Sequence, residues 1–292
     1  MNQLHILYLI FSGIFGAFIG SFLNVCICRL PEEKSLIFPG SHCPKCDSAI
    51  RWYDNIPVLS YVILQGKCRN CSEKISLQYP MIELLTSGVF VFAMYMFIVR
   101  LQRPAAVEDF IMFFAAIFLS SCLVVVTIID IKLRIIPDMA WISLLVFGII
   151  TSGFCPFLQD PLPFETSLSP EAQALISSIA GAILGSGVIY LTGIIGKLVF
   201  RKEAMGLGDV YLMAGLGAFL GWQSILLVFL IGCIAGSFIG LFSLLLTKDH
   251  YIPFGPFLSL GAFIMFFFKI PVLIFISRDY PNFIRKAMLI FS

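Results

Sequence analysis

Charge is scarce in this chain. Of 292 residues only 12% are Asp, Glu, Lys or Arg, while 59% are hydrophobic and 30 are phenylalanine. A soluble domain carries about twice that share of charge, so composition argues against one. The net charge of +2 is too small to call for a nucleic-acid partner. Histidine is scarcer still: His5, His42 and His250 are dispersed, and no HExxH occurs. That leaves a zinc protease unsupported and gives no histidine for a serine or cysteine triad. No phosphate loop of the G-x-x-x-x-G-K-[ST] type appears, and there is no low-complexity tract. No Lys or Arg precedes the first apolar run, which argues against a cleaved secretory signal.

Long apolar runs are abundant. About eight recur, at roughly 5–27, 80–99, 110–129, 135–154, 174–198, 208–221, 223–246 and 256–277. Most are near the ~20 residues that a helix needs to cross a bilayer. The expected fold is an all-α polytopic membrane protein. The sixth run is short, so 208–246 also reads as one broken unit, with "GWQ" at 221–223 as a tight turn. Small residues four apart (Gly16/Gly20, Gly181/Gly185, Gly217/Gly221, Gly236/Gly240) suit close helix packing in lipid.

Orientation follows from Lys and Arg. Arg29, Lys34, Lys45, Arg51, Lys67, Arg69 and Lys74 crowd the stretch behind the first run, and Lys132, Arg134, Arg201, Lys202 and Lys248 fall on the same side by alternation. That side is expected to be cytoplasmic, with the N-terminus outside. The loop 155–173, with no Lys or Arg, then lies outside. Arg100, Arg103, Arg285 and Lys286 run against the rule. Residues 29–79 are the only polar stretch large enough for a small module. The expected organisation is a first transmembrane helix at 1–28, a cytoplasmic module at 29–79 and a membrane core at 80–292.

The module holds "CPKC" at 43–46 and "CRNC" at 68–71, two C-x2-C pairs with 21 residues between them. Two thiolate pairs on tight turns can close a tetrahedron around zinc, and a reducing compartment disfavours disulfides. Cys43, Cys46, Cys68 and Cys71 are the expected ligands. Four protein ligands leave no open position, which makes the zinc structural. Two redox pairs or free thiols are the competing reading. Cys26, Cys28, Cys122, Cys155 and Cys233 read as apolar fillers, and His42 as a surface turn residue.

Two acids sit at the ends of apolar runs on one predicted face. Asp130 ends the third run, in "TIIDIKLRIIPDM", and Asp209 opens the sixth, in "GLGDVYLMAGLGAFLG". A carboxylate at the membrane boundary is costly unless solvated, paired or used. Two neighbouring carboxylates can share a proton, leaving one as base and the other as acid, which suits water-mediated peptide hydrolysis. Gly206 and Gly208 would let a substrate backbone approach and the chain turn. Simpler roles remain open. Asp209 can cap its helix, Asp130 can pair with Lys132 or Arg134, and Asp138 can cap the fourth run. A transporter or channel with an aspartate proton relay is the alternative from another class; a zinc-braced methyltransferase with little protease activity is a third.

Several segments together resemble one family. "GAFIGSFLNVCICRLP" (16–31), "CPKC" and "GKCRNC", "DNIPVLSY" (54–61), "YPMIELLT" (79–86), "DIKLRIIPD" (130–138), "GLGD" (206–209) and "IPFGPFLSLGA" (252–262) are similar, in order, to motifs of the type IV prepilin peptidases. The resemblance implies a GxGD-type aspartic protease of the bacterial inner membrane, with Asp130 and Asp209 catalytic and Asp138 supporting. It implies removal of the basic leader from prepilins and pseudopilins, then methylation of the new N-terminal residue with S-adenosylmethionine as donor. Gly66, Lys67 and Glu83 are its candidate methyl-transfer residues. The departures are a shorter loop between Pro31 and Cys43 and "DNIP" where "ENIP" is common; neither removes a motif.

Overall fold

The computed structural model describes residues 3–101, 103–163, 166–201, 205–247 and 252–279. Lys202, Lys248, His250, Arg285 and Lys286 lie outside them. Helices stand at all eight expected positions. They are α1 (Gln3–Arg29), α3 (Gln78–Met94, continued by a π-helical turn Tyr95–Val99), α4 (Val107–Leu133), α5 (Asp138–Phe154), α6 (Pro170–Phe200), α7 (Leu207–Leu220), α8 (Trp222–Thr247) and α9 (Gly255–Ile274). A short α2 (Leu59–Ile63) lies within the polar module. Among the described residues there is no strand, only two isolated bridges.

Apolar runs become helices because lipid offers the backbone no hydrogen-bond partner, and a helix satisfies its own. Six are long and apolar enough to cross a membrane by length and composition: α1, α3, α4, α6, α8 and α9. α5 and α7 are shorter, at 17 and 14 residues. At 1.5 Å per residue α7 extends only ~21 Å, short of the ~30 Å apolar slab.

Helix ends follow local chemistry. Ser169 caps α6, its Oγ accepting from the Ala172 amide at 3.3 Å, with Pro170 in the first turn. α4 and α6 end on left-handed Arg134 and Arg201, whose amides close on Asp130 O and Lys197 O. At the start of α4, the Asp109 carboxylate accepts from the Ala106 amide at 2.8 Å and from both Arg103 Nη atoms at 2.8 and 2.9 Å. Arg103 broke the charge rule. It is held by an acid and does not act as a lone cation.

The chain forms two compact units, residues 1–140 and 141–292. In the first, α1 packs on α3 through glycines. A Cβ at Gly20 would stand 2.7 Å from Glu83 Cα, and one at Gly16 2.9 Å from Phe90 Cβ. Two hydroxyls cross the seam, Ser12 Oγ to Phe90 O and Ser87 Oγ to Gly13 O, both at 2.8 Å. Leu23, Cys26 and Ile27 of α1, Ile82 of α3, and Val125 and Ile129 of α4 form the buried cluster beside Asp130. Cys26 is thus a core filler, as expected.

In the second unit α7 lies between α5 and α6 at backbone contact. A Cβ at Gly181 would fall 2.2 Å from Gly217 O, and one at Gly217 2.1 Å from Gly181 O. On the other side Gly215 faces Trp141 O and Gly148 faces Ala218, each leaving 2.6 Å for a Cβ. The Gly236/Gly240 pair is looser, with side-chain neighbours at 3.3 and 3.5 Å.

Gly181→Val should therefore destabilise the protein by about 1–3 kcal/mol or more, read as a lower midpoint of thermal unfolding in detergent. Gly187→Ala on the same helix meets nothing within 4 Å and should be neutral or stabilising.

Candidate functional site

Two matching turns carry the four cysteines. In the first, the Cys43 amide donates to Ser48 O at 3.0 Å and the Asp47 amide to Cys43 O at 2.9 Å. In the second, the Cys68 amide donates to Glu73 O at 2.8 Å and the Ser72 amide to Cys68 O at 2.9 Å. Both turns close on a left-handed residue after the second cysteine, Asp47 (φ 55) and Ser72 (φ 58). The four sulfurs lie within 4.8 Å of one another, and Cys43 Sγ is 3.8 Å from Cys71 Sγ. Zinc–sulfur bonds of about 2.3 Å set tetrahedral sulfurs about 3.8 Å apart. Donor set and spacing therefore fit zinc.

The thiols are not equivalent. The Ser48 hydroxyl, then the Ser48 amide, pulls Cys46 down to about 6, and the Cys71 and Asn70 amides lower Cys68. The Glu73 amide also pulls on Cys71, but desolvation and the neighbouring sulfurs outweigh it and push that thiol up to about 12. Arg69, between Cys68 and Cys71, grips Asp54 with Nε at 2.8 Å and Nη2 at 2.6 Å. This pairing first, and its charge second, holds the Asp54 carboxyl below the usual range. Arg51 and Arg69 both approach the Tyr53 ring, at 5.8 and 5.7 Å from its centre.

The candidate methyl-transfer residues sit around this module. Gly66 has φ +67, and a Cβ there would meet Tyr61 Oη at 2.8 Å, so glycine is required twice over. Lys67 follows on the exposed edge of the second turn, bridged to Lys74. Glu83 is buried in α3, and its Oε2 accepts from the Val58 amide at 2.7 Å. Val58 has φ 60, an uncommon conformation for a β-branched residue. Glu83 thus anchors a strained turn at the module's base.

Asp130 is buried near the end of α4. Lys132, one candidate partner for it, instead reaches Gln78 Oε1, and Gln78 Nε2 lies 3.4 Å from Asn24 Oδ1. Asn24 in turn donates to Tyr79 O at 3.1 Å, tying α1, α3 and the end of α4 together. Asp138 opens α5.

Asp209 is half-buried in the first turn of α7. The N-cap is Gly206, not Asp209. Gly206 has an ordinary extended backbone (φ −77, ψ 147), so the turn does not need glycine. A Cβ there would meet Asp209 Oδ2 at 3.7 Å and Gly208 N at 4.0 Å, ordinary contact distances, so space does not demand glycine either. Trp141 of α5 stacks on Tyr211 of α7, ring centres 5.1 Å apart.

Residues 14–97 match the bacterial peptidase A24 N-terminal domain, and residues 117–241 match the type IV leader peptidase family. The chain belongs to the type IV leader peptidase family. It is similar to the prepilin leader peptidase/N-methyltransferase of Myxococcus xanthus (strain DK1622), 36% identical over 241 residues. That match covers 82% of this chain and 64% of the relative, so the chain spans less than two thirds of that protein. The type 4 prepilin-like proteins leader peptide-processing enzyme of Escherichia coli O78:H11 is 34% identical over 273 residues, 87% of this chain and 91% of that one. The prepilin leader peptidase/N-methyltransferase of Aeromonas hydrophila is 34% identical over 285 residues, 88% and 90%. No solved structure matches. The chain is thus an enzyme of the leader peptidase class, with relatives named for an N-methyltransferase activity as well.

One ion pair in this peptidase escaped sequence reasoning, buried Asp160 with half-buried Lys269. The available signal was a single lysine inside the last apolar run.

Purified peptidase should carry stoichiometric zinc by metal analysis, lost in Cys43→Ser or Cys71→Ser together with protease resistance of residues 29–79.

Proposed function

We propose that the peptidase removes the basic leader of type IV prepilins and pseudopilins at the cytoplasmic face of the bacterial inner membrane, using Asp130 and Asp209. It then methylates the freed N-terminus with S-adenosylmethionine. The observation that carries this reading is the single family match over residues 117–241, which spans both acidic segments. The relatives' names support the substrate class and the second activity.

The reaction needs one of the two aspartates ionised and the other protonated. The ionised carboxylate takes a proton from water as the water oxygen attacks the scissile carbonyl. The protonated partner hydrogen-bonds the carbonyl oxygen and stabilises its developing charge. Proton return to the peptide nitrogen breaks the C–N bond and restores the pair. Gly206 and Gly208, without side chains, suit close approach of an extended peptide beside Asp209. Asp138 and Gly208 support the segment around them.

Methyl transfer belongs to the N-terminal part, with the membrane core at 80–292 carrying the peptidase. S-adenosylmethionine supplies an electrophilic methyl group on sulfur. Gly66 and Lys67 would border the donor, and Glu83 would fix the turn at Val58. Zinc on Cys43, Cys46, Cys68 and Cys71 would hold this module in shape without entering the chemistry.

The test incubates purified peptidase with a prepilin and methyl-labelled S-adenosylmethionine and follows size and label together. Asp130→Asn and Asp209→Asn should each slow leader removal by at least about a hundred-fold, while a pilin supplied already cleaved still gains label. Leader removal at the normal rate in either variant would sink the aspartate pair.

A further inference from the structure

Gln159 and Asp160 are neighbours, both buried, and they serve opposite sides of one turn. Gln159 Nε2 donates to Ala218 O at 3.1 Å and Phe219 O at 3.4 Å, carbonyls in the last turn of α7. Ser178 of α6 adds a bond to Ala218 O at 2.8 Å. Asp160 Oδ2 accepts from the Ser224 amide at 2.7 Å and Oδ1 from Ser224 Oγ at 3.0 Å, capping the first turn of α8. Asp160 Oδ1 also meets the Lys269 ammonium of α9. Lys269 follows Phe268, whose φ of −127 kinks that helix. The Asp160 carboxyl is 0% exposed and the Lys269 side chain 29%.

Only Gly221 separates α7 from α8. It has φ +93, and a Cβ there would stand 2.8 Å from Asp160 N. Trp222 Nε1 donates to Pro161 O at 3.0 Å on the same loop. Helix ends leave carbonyls and amides without intrahelical partners, and an apolar surround supplies none. Two adjacent side chains, with one ion pair behind them, answer both ends.

This anchor has a mechanical consequence. α7 runs from Asp209 at one end to these contacts at the other, and residues 215–220 are all buried. Gly217 lies against Gly181, where any larger side chain would strike backbone. α7 therefore cannot slide without a clash, and its far end is held by Gln159 and Ser178, with Asp160 fixing the start of α8 beside it.

We propose that Asp160, paired with Lys269, is a positioning residue for Asp209. It caps α8 directly beyond Gly221, beside the Gln159 bonds to the last turn of α7, and so sets where the Asp209 carboxylate stands. This rests on Asp209 being a peptidase aspartate.

The test uses the full-length protein in detergent, with Asp160→Asn, Lys269→Gln, the double variant, and Asp209→Asn as control. Leader removal, methyl transfer to a pre-cleaved pilin and backbone hydrogen exchange are all measured. Asp160→Asn should lower kcat for leader removal on the order of ten- to a hundred-fold, with KM and methyl transfer unchanged. Exchange should rise at residues 206–212, beyond the altered turn. The double variant should regain most of the rate, because a neutral hydrogen-bonded pair leaves no buried charge unmatched. Should Asp160→Asn fail to fold, Lys269→Gln and the double variant carry the same comparison. A normal kcat in the single variants overturns the proposal, and so does exchange that changes only around 156–162 and 218–226. Normal leader removal in Asp209→Asn overturns the underlying reading instead.

Discussion

A helix that stops inside a tightly packed apolar bundle must have its last carbonyls answered by protein. α7 is the helix for which this matters. It has 14 residues, is buried over most of its length, and turns directly into α8 through Gly221. The answer comes from Gln159 and Ser178, while Asp160, matched by Lys269, accepts from Ser224 at the start of α8. Remove that satisfaction and a short buried helix has no reason to end where it does. The position of Asp209 at its other end depends on the same condition.

The two halves are stabilised by different physics. In the second unit, backbone meets backbone at Gly148, Gly181, Gly215 and Gly217. Close packing is the main attraction available between helices in lipid, where tails are as apolar as leucine. Residues 29–79 have no such core. Ile37, Phe38 and Trp52 are 75–80% exposed, and the module is held by four clustered thiols, the Asp54–Arg69 pair and the Glu83 carboxylate at its base. A metal there would replace the hydrophobic burial that so short a segment cannot provide.

What could be read in advance follows the same division. The cysteine cluster was legible because each C-x2-C pair is local, and the helices because apolar length alone demands them. Asp209 was read correctly as opening its helix, but the cap is Gly206, whose backbone angles and surroundings other residues could also accept. Arg103 stays an exception to the charge rule, and its pairing with Asp109 was not legible from that rule. The Asp160 anchor was invisible for a plain reason. Its partner Ser224 is 64 residues away, and no periodicity links a polar residue in an irregular loop to the start of a distant helix. The loop 155–173 read as irregular, and its irregular part carries the contacts that fix α7.

The chemistry also fixes the order of the two proposed reactions. An amide nitrogen has its lone pair delocalised into the carbonyl, so the nitrogen of the scissile bond cannot attack a methyl sulfonium. Hydrolysis converts it to an amine, which can do so once deprotonated. Cleavage must therefore come first, and methylation reads out its success. Of the residues proposed for the two steps, Asp209 lies in one compact unit, and Asp130, Gly66, Lys67 and Glu83 in the other. The substrate's new N-terminus is the only group that both activities handle. A polypeptide whose apolar helix stays in the bilayer can present that end to each in turn without dissociating, which keeps its effective concentration high at the second step.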